Sequence, residues 1–243
     1  MIALGFLTFL YLTIRHPLRK KLIDKEAYLN LVFLGLISGV VGGRILYIIS
    51  APQDFADNWI EIFYPWIGGF VVLGSIIGVL VTVPLYLYKH HVPALPVLDL
   101  AATYAPIMQS IARFGCLGAG CCYGATAPDL PWAITFTSPY SIAPIHVPLH
   151  PTQIYTSIAS LCIFFIVWGL SKKLFSKPGT TLFLYLILEN IARFTIDFWR
   201  GDRHPIIASW YNGSITISQV QTYSIMGLII AVVGFVILWS RKK

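Results

Sequence analysis

Charge is scarce in this chain. Only 11% of its 243 residues are Asp, Glu, Lys or Arg, against 57% that are hydrophobic, whereas a soluble domain carries roughly 25% charged residues. With a mean hydropathy of +0.75, this scarcity excludes an ordinary soluble globular protein and indicates a polytopic membrane protein. Acidic residues are the rarer sign, ten against seventeen basic, which leaves a net charge of +7. In a membrane protein basic residues report topology first, so the excess is not read as a nucleic-acid surface. Cysteine is sparse too, with three of the four falling at 116, 121 and 122, which excludes a secreted disulfide framework. A cleavable signal is not expected, because the opening apolar run has no positive region before it and no small-residue cleavage site after it.

What the chain has is long apolar segments. They fall at 1–14, 28–50, 67–88, 97–117, 154–170, 180–199 and 220–239. Their pattern is that of buried helices, so the expected fold is all-α: a polytopic membrane helix bundle of about seven transmembrane helices, forming a single domain over 1–243. The first segment is shorter than the roughly 20 residues a span requires, which leaves a short span or a truncated start. Connections after the first, third, fifth and seventh segments hold 12 of the 17 basic residues and every lysine, while 51–66 and 118–150 hold none. The positive-inside rule then places the N-terminus outside and the C-terminus in the cytoplasm.

Five basic residues escape this account, and all are arginines: Arg44, Arg113, Arg193, Arg200 and Arg203. Each stands near the external end of a segment or in the last external loop. An arginine within a bilayer costs at least ~2.5 kcal/mol, so it faces the bundle interior and has a partner. Guanidinium grips phosphate bidentately without losing its charge. Arg44, Arg113 and Arg193 at similar depth would form an anion pocket, and a phospholipid headgroup is the nearest anion. The alternative is internal pairing, since Glu189, Arg193 and Asp197 recur every four residues with Arg200 close behind.

Gly115, Gly118, Gly120 and Gly124 lead from a segment into an external loop, where backbone could turn tightly beside a ligand. Cys116, Cys121 and Cys122 admit three readings: a metal site completed by His146 or His150, a disulfide, or small buried residues without chemistry. His150 opens the run His150-Pro151-Thr152-Gln153-Ile154-Tyr155, where proline starts a helix and histidine serves as a helix-entry cap or as an acid, base or phosphate ligand.

Several of these stretches resemble those of bacterial prolipoprotein diacylglyceryl transferases. Gly42-Gly43-Arg44-Ile45-Leu46-Tyr47 is similar to that family's GGR-hydrophobic-x-Tyr stretch, and Gly68-Gly69 with Gly74 and Gly78 to its glycine-rich third segment. Arg113-Phe114-Gly115 with Gly120 and Gly124 resembles its signature, 150–155 its HPSQLYE run, and Arg193-Phe194 with Asp197 and Arg200 its RF-x-x-E-x-x-R run. The resemblance implies transfer of a diacylglyceryl group from phosphatidylglycerol to the lipobox cysteine in a prolipoprotein signal peptide, in the bacterial inner membrane, without a cofactor. On that reaction Arg113 and Arg193 would be catalytic by stabilising the leaving phosphate, and His150, the one remaining histidine in a resembling stretch, would take the thiol proton because Leu73 stands where the family has its histidine. Arg44, Tyr47, Gly115, Gly120, Gly124, Gln153 and Tyr155 would bind substrate, and Glu189, Asp197 and Arg200 would support them. The external loop 118–150 would act as a lid, its proline- and aromatic-rich stretch 125–147 covering the site or guiding the peptide. The sequence departs from the pattern at chemically important places: Leu73 stands where the family has a histidine, Cys116 and Ala119 replace asparagines, Cys121 replaces a glutamate, and Thr156 replaces another. The rival expectations are an enzyme using Cys121 or Cys122 as nucleophile or redox pair, and a lipid-binding or metal-handling protein without turnover.

Overall fold

A computed structural model describes residues 1–55, 58–64, 69–203, 205–210 and 215–240. Among them are eight α-helices: α1 (Ile2–Arg15), α2 (Pro17–Leu22), α3 (Lys25–Ser50), α4 (Val72–Lys89), α5 (Ala94–Ala119), α6 (Thr152–Leu174), α7 (Thr180–Asp197) and α8 (Gln219–Ser240). All but the short α2 correspond to the seven predicted apolar segments. Ile67 and Gly68, which open the third segment in sequence, and the basic residues 241–243 lie outside the described residues. Three helices, α3, α6 and α8, are long and apolar enough to cross a membrane, and α1 and most of α4 are shorter apolar helices. Polar residues set α5 and α7 apart, since α5 carries Asp99, Gln109 and Arg113 and α7 carries Glu189, Arg193 and Asp197.

The fold is not purely helical. Two small antiparallel ladders pair β1 (Ile134–Thr135) with β2 (Pro148–Leu149), and β3 (Pro205–Trp210) with β4 (Ile215–Ser218). Runs this short carry too little alternation to be legible in sequence. Their pairing is settled by the ladder itself, which satisfies loop backbone that no helix reaches.

The chain divides into two compact units. One, residues 14–97, is built on α3 against α4. Small residues let the two backbones meet: a Cβ added to Gly42 would strike the carbonyl of Gly74, and one added to Gly74 the carbonyl of Gly42. The Thr82 hydroxyl donates to Ser38 Oγ at 2.8 Å, and Tyr86 donates to the Ala27 carbonyl at 3.2 Å. Along the opposite face of α3, Phe33, Ile37, Val41, Ile45 and Ile49 are exposed at every fourth position. An apolar stripe turned outward is the pattern expected of a lipid-facing helix.

The other unit comprises residues 1–13 and 98–243, and polar contacts tie its helices together. Ser157 of α6 donates to the Ser110 carbonyl of α5 at 2.9 Å, and Gln109 of α5 donates to Glu189 of α7 at 2.7 Å. Asp99, wholly buried, reaches from α5 to the start of α7. Its two carboxylate oxygens accept from the amides of Gly179 at 2.6 Å and Leu182 at 2.8 Å. A carboxylate there satisfies amides that a helix N-terminus leaves open, and its charge complements the helix dipole.

Candidate functional site

The cysteine-bearing loop is shaped by how α5 ends. Gly120 takes a positive φ of 69°, its amide donates to the Leu117 carbonyl at 3.2 Å, and the Cys121 amide donates to the Cys116 carbonyl at 3.1 Å. This pair of bonds is a Schellman cap, which also brings together the side chains of the two residues it bridges. Here those residues are Cys116 and Cys121. Cys122 has a positive φ as well, 56°, and turns the chain back. From the start of α6, Thr152 donates to the Cys122 carbonyl at 2.7 Å, and the buried Gln153 donates to the Cys121 carbonyl at 2.8 Å. The three sulfurs lie within 4.8 Å of one another. His146 and His150, the expected completing ligands, are not part of that group.

Arginines from two helices and a loop meet at this turn. Cys122 is within electrostatic reach of Arg113 and Arg200, and Arg193 of Arg113, Arg200, Glu189 and Cys122. Arg200 is engaged, donating a bidentate fork to Asp202 at 2.8 and 2.6 Å. Asp197, the expected support of Arg193, is buried and taken instead by Arg203 at 3.2 Å and by the Ser218 hydroxyl at 2.6 Å. The sign alternation along α7 is therefore not an internal ladder: Glu189 accepts from Gln109, and α7 stops at Asp197, so Arg200 does not continue its face. Among the described residues, neither Arg113 nor Arg193 has a carboxylate within salt-bridge distance.

These charges divide the thiols. Burial, then the neighbouring thiols, push Cys121 up to about 12, so it is protonated at neutral pH. Burial opposes ionisation of Cys122 too, but Arg200 and Arg113 outweigh it and hold this thiol below its ordinary value.

Beside the cluster, a groove of about 490 Å³ is lined by Leu130, Trp132, His150, Tyr155 and Trp199. Trp132 donates to the Tyr155 hydroxyl at 2.9 Å, and His150 Nδ1 stands 3.3 Å from the same oxygen. Gly124 links the groove to the arginines, because it pairs with Arg200 and packs so closely on His150 that any Cβ would strike the histidine. Between α6 and α7, Thr156, Ser160, Glu189, Arg193 and Arg200 line a cavity of about 10 Å³, space for roughly one water. Gly115, on α5, faces Met1, whose Cβ would be 3.3 Å from an added Cβ.

Arg44 and Tyr47 belong to the unit 14–97. The Arg44 guanidinium is 7% exposed and donates to the carbonyls of Ile62, Gly69, Glu61 and Tyr64 at 3.4, 3.3, 2.5 and 3.4 Å. Tyr47 donates to Asp54 and lies across Gly69, whose φ is 78°. Leu73, standing in place of the family's histidine, is 58% exposed at the start of α4.

Asp99, Asp202, Trp132 and Trp199 were not picked out from sequence. Asp99 alone had a usable signal, as the single acidic residue in an otherwise apolar segment.

Helices of membrane-spanning length and a cluster of arginines gathered at a cysteine turn define a helical membrane protein with a site suited to anions. The description "Prolipoprotein diacylglyceryl transferase" belongs to a family model matching residues 1–239, and the chain is a member of that family. A phosphatidylglycerol–prolipoprotein diacylglyceryl transferase of Clostridium tetani is 36% identical to it, over 100% of this chain and 93% of the relative. A second such transferase, of Clostridium perfringens, is 34% identical over 100% of this chain and 89% of the relative. One from Dechloromonas aromatica is 29% identical over 100% and 90%.

Proposed function

We propose that this chain transfers a diacylglyceryl group from phosphatidylglycerol to the lipobox cysteine of prolipoproteins in the bacterial cytoplasmic membrane. The observation that carries this reading is the pair Arg113 and Arg193, two guanidiniums within electrostatic reach of each other and, among the described residues, with no carboxylate at salt-bridge distance. Both grip the headgroup phosphate. The acceptor thiolate attacks the glyceryl carbon, an S–C bond forms as the C–O bond to phosphate breaks, and glycerol phosphate leaves with the electron pair. Fixed positive charge placed where the leaving group gains negative charge lowers the barrier without reorganisation.

His150, at the rim of the groove, takes the thiol proton, and Tyr155 orients its ring. Gln153, Gly120 and Gly124 hold the loop backbone that frames the phosphate, with Gly115 on the approaching helix. Glu189, Asp197 and Arg200 keep the ends of α5 and α7 in place, and the loop 118–150 lies over the site. The seven helices other than α2 span the membrane, with the N-terminus outside and the C-terminus in the cytoplasm.

The test is transfer of labelled diacylglyceryl from phosphatidylglycerol to a lipobox peptide in vesicles. Product from the parent that is lost in Arg113→Ala and Arg193→Ala at equal expression supports the assignment. A folded parent that binds the lipid and yields no product refutes it.

A further inference from the structure

We propose that Cys116, Cys121 and Cys122 form a site for a thiophilic d10 cation, Zn2+ or Cu+, with its remaining coordination position open to an incoming thiolate. Three sulfurs no more than 4.8 Å apart fit within a circle of radius about 2.8 Å, so small side-chain movements bring all three to the Zn–S distance of about 2.3 Å. All three cysteines are free.

The site is built by the fold rather than by chance proximity. The Schellman cap at Gly120 sets Cys121 over Cys116, the positive φ of Cys122 turns its side chain back, and Thr152 and Gln153 fix the backbone of both loop cysteines from α6. Buried polar groups that orient ligand-bearing backbone are what a metal site requires beyond its ligands. Charge agrees as well. Three thiolates around a divalent cation carry a net charge of −1, and Arg113, within electrostatic reach of Cys122, balances it. Soft sulfur donors select Zn2+ or Cu+ over Mg2+ and Ca2+.

Among the described residues no His, Asp or Glu joins the cluster. Three protein ligands and an open position are the pattern of a catalytic rather than a structural metal site. A thiol entering that position is deprotonated by the metal. On the transferase reading, the entering thiol is the lipobox cysteine: its proton passes to His150, its sulfur is held next to Arg113, and S–C bond formation expels glycerol phosphate as above. This last step rests on that reading, whereas cation binding does not.

The reduced full-length protein, in lipid nanodiscs, is titrated with Cd2+ while the thiolate-to-metal charge-transfer absorption is followed. One equivalent should bind, displaced by Zn2+ or Cu+ and unaffected by Mg2+ or Ca2+. Cys116→Ser, Cys121→Ser and Cys122→Ser should each weaken binding at least about tenfold, Gln153→Ala by about tenfold through the Cys121 carbonyl, and Cys162→Ser not at all. Helix content by circular dichroism shows that the variants are folded. No charge-transfer band, or binding that survives Cys121→Ser with Cys122→Ser, overturns the cation site. A lipobox peptide should then perturb the band where its serine analogue does not, and equal response to both overturns the open position. Product formation by the Zn2+-loaded protein in vesicles tests the transferase reading separately, because cation binding is read from the charge-transfer band alone, so the two can fail independently.

Discussion

The two units of this chain use arginine in opposite ways, one buried and the others half-buried. In residues 14–97, Arg44 is surrounded by carbonyl oxygens from four residues of one loop, so its charge is absorbed by backbone dipoles and its role is to hold that loop against α3. In the unit containing α5 and α7, Arg113 and Arg193 have no carboxylate at salt-bridge distance among the described residues, while Arg200 and Arg203 beside them are paired. Burying a guanidinium without a counter-ion is expensive. It is tolerated where a ligand completes the site, which is the role proposed above for Arg113 and Arg193 and not for Arg44.

The sharpest way to break the comparison is to exchange the two outcomes. Arg113→Ala or Arg193→Ala should lower diacylglyceryl transfer about 10²- to 10³-fold, the range for loss of one preorganised donor to a developing negative charge, with the thermal unfolding midpoint almost unchanged. Arg44→Ala should do the reverse. Stranding four carbonyls destabilises by about 1–3 kcal/mol, seen as a lower unfolding midpoint in detergent and greater protease sensitivity in the loop after α3.

The helix contacts separate the units on a smaller scale. Gly42→Leu or Gly74→Leu forces α3 from α4, where the backbones touch, and should destabilise by about 1–3 kcal/mol. Gly118→Ala, with nothing within 4 Å of the added carbon, should be neutral or stabilise by up to about 1 kcal/mol through helix propensity.

A pH profile of alkylation sharpens the contrast within the cysteine turn. Thiolate is the reactive form. Cys122, held down by Arg200 and Arg113 against burial, should reach its half-maximal rate at lower pH than a free cysteine, and Cys121, pushed up to about 12, should remain unreactive through neutral pH. Arg200→Gln should move the Cys122 profile upward, and mass spectrometry of alkylated peptides reads both sites.

The helices were legible because hydropathy is a local signal. The segment expected at 28–50 is helical over Lys25–Ser50, and that expected at 154–170 over Thr152–Leu174. Arg113 and Arg193 were recognisable as charges without a topological reason, and structure places them together. Their partners were not legible. Spacing on α7 offered Asp197 to Arg193, yet Asp197 belongs to Arg203 and Ser218, and Asp99 caps a helix about eighty residues away in sequence.

Sequence alone determined that this protein is helical and membrane-bound, which of its arginines needed an explanation, and the family it resembles. Each of these follows from composition and short-range order along one chain. Tertiary structure decided which arginines meet a carboxylate at salt-bridge distance and which, among the described residues, do not, and it gathered three cysteines at the end of α5. The physical reason is that a buried charge or thiol is defined by the groups packed around it, and those come from elements that only folding brings within reach.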